Sequence, residues 1–362
     1  MPDTSETKKI SKLPARLRFL QETLSYRQPD QALTCIETHM SWVFLIGNSV
    51  FKMKKPVRFP FLDFSTVKAR EFYCREEVRL NARLAPGVYL GLMALQLVNG
   101  NLILVPEAQL SGTGETLDWL VVMRRLPAQR MLHQLVIDNA VSASEIDGLI
   151  EILSHFYRFA RVAEITPDDY LSRFAHQQTL AREILLRPQF DLRGAALVVN
   201  RFDLILSQGA GRLRNRVLKR RVLEGHGDLR PEHVCLLQPP LVIDCLEFNL
   251  QMRQVDPFDE IAFLSLECAM LADETGAEMK TAWIGERLAA GLATALDEKV
   301  DPALLHLYMA HRAILRARLA MAHLLDPQPR TPEKWHPLAQ RYLDRALRSM
   351  HHFNAAMHSD SP

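Results

Sequence analysis

The chain has 362 residues, 48% of them hydrophobic and 24% charged, with a formal net charge of +2. That composition is globular and gives enough apolar material for about two domains, each with its own core. The near-neutral balance gives no bulk bias toward nucleic acid or an acidic surface, and five cysteines without a C-x-x-C pair argue against a disulfide framework or a zinc site.

In chain order, residues 1–12 read as a polar tail without an apolar h-region, so no signal peptide is expected. No apolar run approaches the ~18 residues of a membrane span, and a reducing cytoplasm is the expected compartment. A short amphipathic helix is predicted within 13–30, so residues 1–29 form a tail and helix ahead of the first domain. WVFLI (42–46) and VFKMK (50–54) flank Gly47-Asn48-Ser49, which signals a hairpin. A helix follows over 66–84, with Ser65 as its N-cap and Pro86-Gly87 as its stop. Strands are expected in YLGLMALQLV, in LILV after the turn Asn99-Gly100-Asn101, and in WLVVMRRL.

From Leu126 the character changes to long amphipathic segments: 143–163, 168–187, 194–223, 256–272, 278–296, 301–325 and 336–355. PQPRTPEKWHP (327–337) reads as a loop. The basic run RLRNRVLKRR (212–221) reads as the solvated face of a helix, so nucleic acid is not an expected partner. The expected organisation is α+β: a small β-rich domain with one main helix over 30–125, then a larger, mostly helical domain over 126–362.

The segment HGDLRPEHVCLLQPPLVIDCLEFN (226–249) interrupts the helices. Val234-Cys235-Leu236-Leu237 and Leu241-Val242-Ile243 read as two short strands joined by Gln238-Pro239-Pro240. Paired strands lie about 4.8 Å apart, so His233 and Asp244 are expected side by side, with Asp228 on the loop leading in. Asp244 suits Mg²⁺, which keeps one or two protein carboxylates. Asp228 suits a carboxylate that orients a substrate hydroxyl and accepts its proton. On the helix 66–84, Val67, Cys74 and Val78 form one row and Tyr73, Leu80 and Leu84 the next. Glu77 falls inside the second row, and a carboxylate on a buried face needs a partner. Lys52 and Lys54 share a face of the preceding strand and supply one.

HGDL-x-x-x-(N/H), followed by an apolar hairpin and Ile243-Asp244, resembles the catalytic and metal loops of the aminoglycoside phosphotransferase family. Over roughly residues 30–345 the chain is similar to that family's bacterial branch of uncertain substrate. The resemblance implies a bilobal protein-kinase-like fold, with a nucleotide-binding N-lobe over 30–125. The helical C-lobe, 126–362, would carry the catalytic and metal loops at 226–249. It implies an ATP-dependent phosphotransferase acting on a hydroxyl of a small molecule. Asp228 would be the base, Asp244 the metal-binding aspartate, and His226 a brace for the loop. His233 stands where the family has asparagine, the second metal ligand, which opens Mn²⁺ beside Mg²⁺ because imidazole suits the softer ion better.

In DPFDEIAFL, Asp259 would bind the backbone of the catalytic loop, and Asp256 also reads as a helix cap. A strand lysine paired to a helix glutamate positions ATP phosphates in kinases. By resemblance Lys52 and Glu77 take those roles, with Lys54 open as the alternative lysine. Met123 to Leu126 would form the hinge against adenine. The implied partners are therefore ATP, a divalent metal and a small hydroxylated substrate, with no membrane. Many relatives in that branch carry a fused P-loop kinase domain, whereas no G-x-x-x-x-G-K-[ST] occurs here. THMSWVFLIGN holds one glycine where a Gly-rich loop is usual, so the amides from His39 to Trp42 would meet the phosphates. That departure keeps open a catalytically weak, pseudokinase-like nucleotide-binding module. An acidic pocket for a cationic substrate would draw on Glu267, Asp273, Glu274 and Glu278.

Overall fold

The computed structural model describes residues 13–28, 30–110, 112, 114–274 and 278–359, so the tail expected over 1–12 lies outside them. The chain falls into two compact units, Met1–Arg130 with Leu241–Gln251, and Met131–Pro240 with Met252–Pro362.

The first unit is built on a six-stranded antiparallel sheet in the order β1-β2-β3-β8-β6-β7. Its strands are β1 (Thr34–Glu37), β2 (Ser41–Ile46), β3 (Ser49–Lys54), β6 (Tyr89–Val98), β7 (Asn101–Pro106) and β8 (Glu115–Arg124), and a two-strand ribbon, β4 (Arg58–Phe59) and β5 (Leu62–Asp63), stands apart. Alternation along each strand gives the sheet two faces. Phe44, Ile46, Phe51, Met53 and Leu120 point to one face, where helix α1 (Leu13–Arg27) packs Leu20 and Leu24 on them. Val121, Trp119 and Ala94 point to the other, against Cys74 of helix α2 (Val67–Asn81). Since Phe51 and Met53 face α1, the alternate residues Lys52 and Lys54 face α2.

Helix α2 starts one residue later than expected. Thr66, not Ser65, is the N-cap and accepts from the Ala69 N–H, because Ser65 instead donates from both its N–H and its hydroxyl to Asp63. Arg70 fixes the helix on the sheet through a two-pronged pair with buried Asp118 of β8, at 2.7 and 3.1 Å. The chain returns to this unit at Leu241–Gln251, a stretch expected in the helical domain. Two hydrogen bonds from its backbone explain its place: the Val242 N–H donates to the Leu84 carbonyl at 3.1 Å, and the Cys245 N–H to the Asn81 side-chain Oδ1 at 2.8 Å.

The second unit is helical: α3 (Leu132–Ile137), α4 (Ala143–Phe159), α5 (Pro167–Leu185), α6 (Ala195–Leu218), α7 (Pro257–Glu274), α8 (Glu278–Ala295), α9 (Pro302–Ala322) and α10 (Pro332–Ser359). The start of α4 is a reciprocal capping box between Ser142 and Glu145. Helix α9 lies buried along Leu304, Leu307, Tyr308, Ile314 and Met321. Two arginines cross to α7, buried Arg312 to Asp259 at 2.7 Å and half-buried Arg316 to Glu267 at 3.2 Å. Two expectations change. Helix α10 begins at Pro332, inside the stretch read as a loop, since proline at the first helical position forfeits no bond. The basic run is not simply a solvated face: Arg212, Arg214 and Arg216 reach Asp301, Asp168 and Asp256. Among the described residues, no helix is long and apolar enough to cross a membrane.

Candidate active site

In the first unit, two lysines from one strand meet one glutamate from one helix. Glu77 is fully buried; its Oε1 takes Lys52 Nζ at 2.8 Å and its Oε2 takes Lys54 Nζ at 2.6 Å. Each lysine has a second carboxylate: Lys52 reaches Asp244 Oδ1 at 2.7 Å, and Lys54 is bound by Glu247. The lysines differ in access, with side chains 16% and 1% exposed. Lys54 also lies over the Phe64 ring, which completes its enclosure.

Burial works against the charge on Lys52, yet Asp244 and then Glu77 outweigh it and hold the ammonium well above its ordinary pKa. Glu77 likewise sits below the ordinary carboxylate range, since Lys52 and Lys54 overcome its desolvation. Glu247 is pushed up, because burial and the neighbouring Glu77 outweigh the help from Lys54.

Asp244 is presented on strained backbone. Its φ of 61° lies in the left-handed region, costly for a residue with a Cβ but more tolerable for Asp and Asn. Its N–H donates to the Tyr89 hydroxyl at 3.1 Å, and its carboxylate is 44% exposed. A hard oxygen donor at this exposure fits Mg²⁺ shared with phosphate oxygens. Among the described residues, no group of three or more His, Cys, Asp or Glu could hold a metal ion by itself.

The second unit holds the loop from Gly225 to His233. Glu260 near the start of α7 anchors it, accepting from the His226 N–H at 3.1 Å, the Gly227 N–H at 2.5 Å and the Tyr157 hydroxyl at 2.8 Å. Gly225 leaves room for this carboxylate, since a Cβ there would lie 2.7 Å from Glu260 Oε2. The bond expected from Asp259 is therefore made by its neighbour. One residue turns a helix by about 100°, and that turn sends Asp259 to Arg312 and Glu260 to the loop. Asp256 does cap α7, accepting from the Phe258 N–H at 3.0 Å while also holding Arg216.

Asp228 is half-buried, and Arg230 Nε donates to its Oδ2 at 3.1 Å. Burial pushes its carboxyl up, but the neighbouring cations, Arg230 foremost, outweigh this and hold it below the ordinary range. His233 Nδ1 donates to the Asp228 carbonyl at 2.8 Å, and Nε2 accepts from Arg230 at 3.1 Å. Both ring nitrogens are thus engaged inside the loop. His226 is fully buried and accepts at Nδ1 from the Asp228 N–H at 3.3 Å.

Met123 pairs in register with Val50 and Tyr89 and packs partly buried on the α2 face, and Leu126 follows the end of β8 half-buried. In the turn from β1 to β2, the Thr38 hydroxyl accepts from the Met40 and Ser41 N–H groups, which the sequence had offered to phosphate. Of the acidic candidates, Glu267 is buried against Arg316 and Tyr342, and the side chains of Asp273, Glu274 and Glu278 lie outside the described residues. Sequence reasoning missed Glu247, Glu260, Arg230 and Tyr89. The one local signal was a carboxylate between Leu246 and Phe248 three residues after Asp244.

No protein-family model matches the chain. An uncharacterised protein of Mycobacterium tuberculosis is 29% identical over 301 residues, 81% of this chain and 55% of that protein. The chain therefore spans about half the length of the curated relatives it matches. Among solved structures, a choline/ethanolamine kinase family protein from Mesorhizobium loti superposes with a TM-score of 0.53 at 13% identity, covering 95% of this chain and 98% of that one. Amicoumacin kinase, in complex with AMP-PNP and Ca²⁺, gives a TM-score of 0.50 at 14% identity, over 90% and 93%. With its antiparallel sheet, lysine–glutamate pair and helical unit, the chain has the protein-kinase-like fold of these small-molecule kinases.

Proposed function

We propose that the chain is an ATP-dependent phosphotransferase acting on a hydroxyl of a small molecule. The observation that carries this reading is Lys52, held between Glu77 at 2.8 Å and Asp244 at 2.7 Å on a face left partly open. An ammonium so fixed is preorganised for phosphate oxygens and needs no reorientation as charge develops. Lys54 has the same partner but is sealed in, so Lys52 takes the phosphate role and Lys54 holds Glu77 in place. Met123 and Leu126 would line the adenine side.

Asp244 would hold Mg²⁺, which would supply neutralisation of the phosphate charge. With both ring nitrogens of His233 engaged inside the loop, Mg²⁺ on Asp244 is the proposed ion and Mn²⁺ the alternative. Asp228 would accept the substrate hydroxyl's proton as that oxygen bonds to the γ-phosphorus and ADP leaves. A carboxylate held below its ordinary range is a weak base but is ionised at neutral pH, which suits a loose transition state where orientation matters most.

The test is phosphoryl transfer followed by phosphorus NMR across a panel of hydroxylated metabolites with ATP and Mg²⁺. Asp228→Asn should lower turnover by about 10²- to 10⁴-fold, and Asp244→Asn should abolish it. Unchanged turnover in both variants sinks the assignment. A second reading, a nucleotide-binding module with little catalysis, is favoured by the β1–β2 turn, whose Met40 and Ser41 amides are occupied by Thr38. Calorimetric binding of ATP without turnover on any panel member would select it.

A further inference from the structure

The second unit contains a cavity of about 210 Å³ away from Asp228. Tyr157 and Arg158 from the end of α4, Arg220 and Arg221 from the turn after α6, Leu223, and Glu298 beyond α8 line it. It is the destination of the end of the basic run. The earlier arginines of that run are answered by acids, Arg212 by Asp301 and Arg214 by Asp168, while Arg216 takes Asp256 and Glu298. Arg221 then shares Glu298 with Arg216, at 3.2 Å.

One carboxylate therefore serves two guanidiniums, and Arg158 and Arg220 add their charges to the same walls. Arg158, exposed, donates to the Ala295 carbonyl, a neutral acceptor. Arg220 is held at a left-handed φ of 57°, its N–H on the Val217 carbonyl at 2.8 Å. The volume equals that of about seven waters, room for a compact ligand. Several guanidiniums around such a space suit a bidentate oxyanion. The Tyr157 wall has a further connection, because its hydroxyl donates to Glu260, the carboxylate that holds His226 and Gly227.

We propose that this cavity binds a compact oxyanion of two or more negative charges, and that its occupancy tightens the Asp228 loop through Tyr157 and Glu260. The site does not depend on the phosphotransferase reading. The experiment titrates pyrophosphate and citrate into the full chain by calorimetry, in a Lys52→Met background that removes the candidate phosphate lysine. Saturable binding should weaken about tenfold in Arg220→Gln and in Arg221→Gln, the loss of one charge-assisted bond, and persist in Arg220→Lys. Tighter pyrophosphate assigns a phosphate ester, tighter citrate a polycarboxylate. Hydrogen exchange at the His226 and Gly227 amides should slow when the anion binds, and Tyr157→Phe should remove that slowing while binding remains. No saturable binding of either anion, or binding untouched by both glutamine variants, overturns the site. Binding without slower exchange in the Tyr157-bearing chain overturns the coupling.

Discussion

Glu260→Gln isolates what anchors the Asp228 loop. The carboxylate accepts three hydrogen bonds while 1% exposed, with Gly227 on Oε1 and both His226 and Tyr157 on Oε2. Glutamine keeps one carbonyl oxygen, which serves the pair on Oε2, and turns its NH₂ toward the Gly227 N–H. One buried amide donor then faces another donor, which costs about 1–3 kcal/mol, and the remaining bonds lose their charge assistance. The loop should lose about 2–4 kcal/mol of local stability, smaller than the sum of three bonds because two survive. At 1.4 kcal/mol per tenfold, the His226 and Gly227 amides should exchange about 30- to 700-fold faster. Native-state hydrogen exchange resolved to peptides measures this without assuming that a chain of two units unfolds in one step. Asp259→Asn is the contrast: it should speed exchange in α7 and α9, where Arg312 loses its partner, and leave the loop alone. Equal effects of the two variants on the loop, or no effect of Glu260→Gln, refute the reasoning.

Glu77→Gln should lower the thermal midpoint strongly, because it strips a fully buried partner from two lysines and breaking a buried pair costs about 3–5 kcal/mol; a calorimetric scan reads it. Lys52→Met and Lys54→Met should separate function from stability: the first weakens ATP binding with a small change in melting, the second mainly destabilises, because Lys54 is sealed between Glu77 and Glu247. Gly225→Ala should destabilise by about 1–3 kcal/mol and loosen the same loop, since the new methyl would meet Glu260 and Val255 at 2.7 Å. The pH profile follows from Asp228, whose folded pKa is depressed. Its stabilising contribution is present above the unfolded value of about 3.9 and is lost as pH falls through the lower folded value. The acid limb of kcat/KM belonging to this base should therefore lie below about pH 4, and a limb between 5 and 7 that Arg230→Gln moves would contradict it.

Periodicity made the sheet and most helices readable, and it made Glu77 readable as a buried carboxylate because an apolar stripe surrounds it. The rest depended on partners distant in sequence. A helical wheel places Asp259 and Glu260 side by side, and only the packing of α7 against α9 decides which meets the loop. Lys52 and Lys54 look interchangeable because one strand face holds both; a bidentate Glu77 takes each, and enclosure by Phe64 and Glu247 separates them. The basic run looked solvated because Asp301, Asp168 and Asp256 answer it from other elements. Nothing local in the sequence reveals that Arg230 and the Asp228 carbonyl engage the two ring nitrogens of His233.

The left-handed backbone of Asp244 constrains how this position can change over time. A residue at a φ of 61° is filtered first by its conformation and then by its chemistry. Glycine and asparagine pass the first filter and fail the second, whereas glutamate keeps the charge and meets the steric penalty. If Asp244 holds the proposed Mg²⁺, loss of that ion along a lineage should therefore leave a narrow trace, asparagine or glycine at this one position with Lys52, Glu77 and the sheet intact. A set of related sequences sorted by that residue would divide chains able to hold the ion from chains that have kept the scaffold for binding alone.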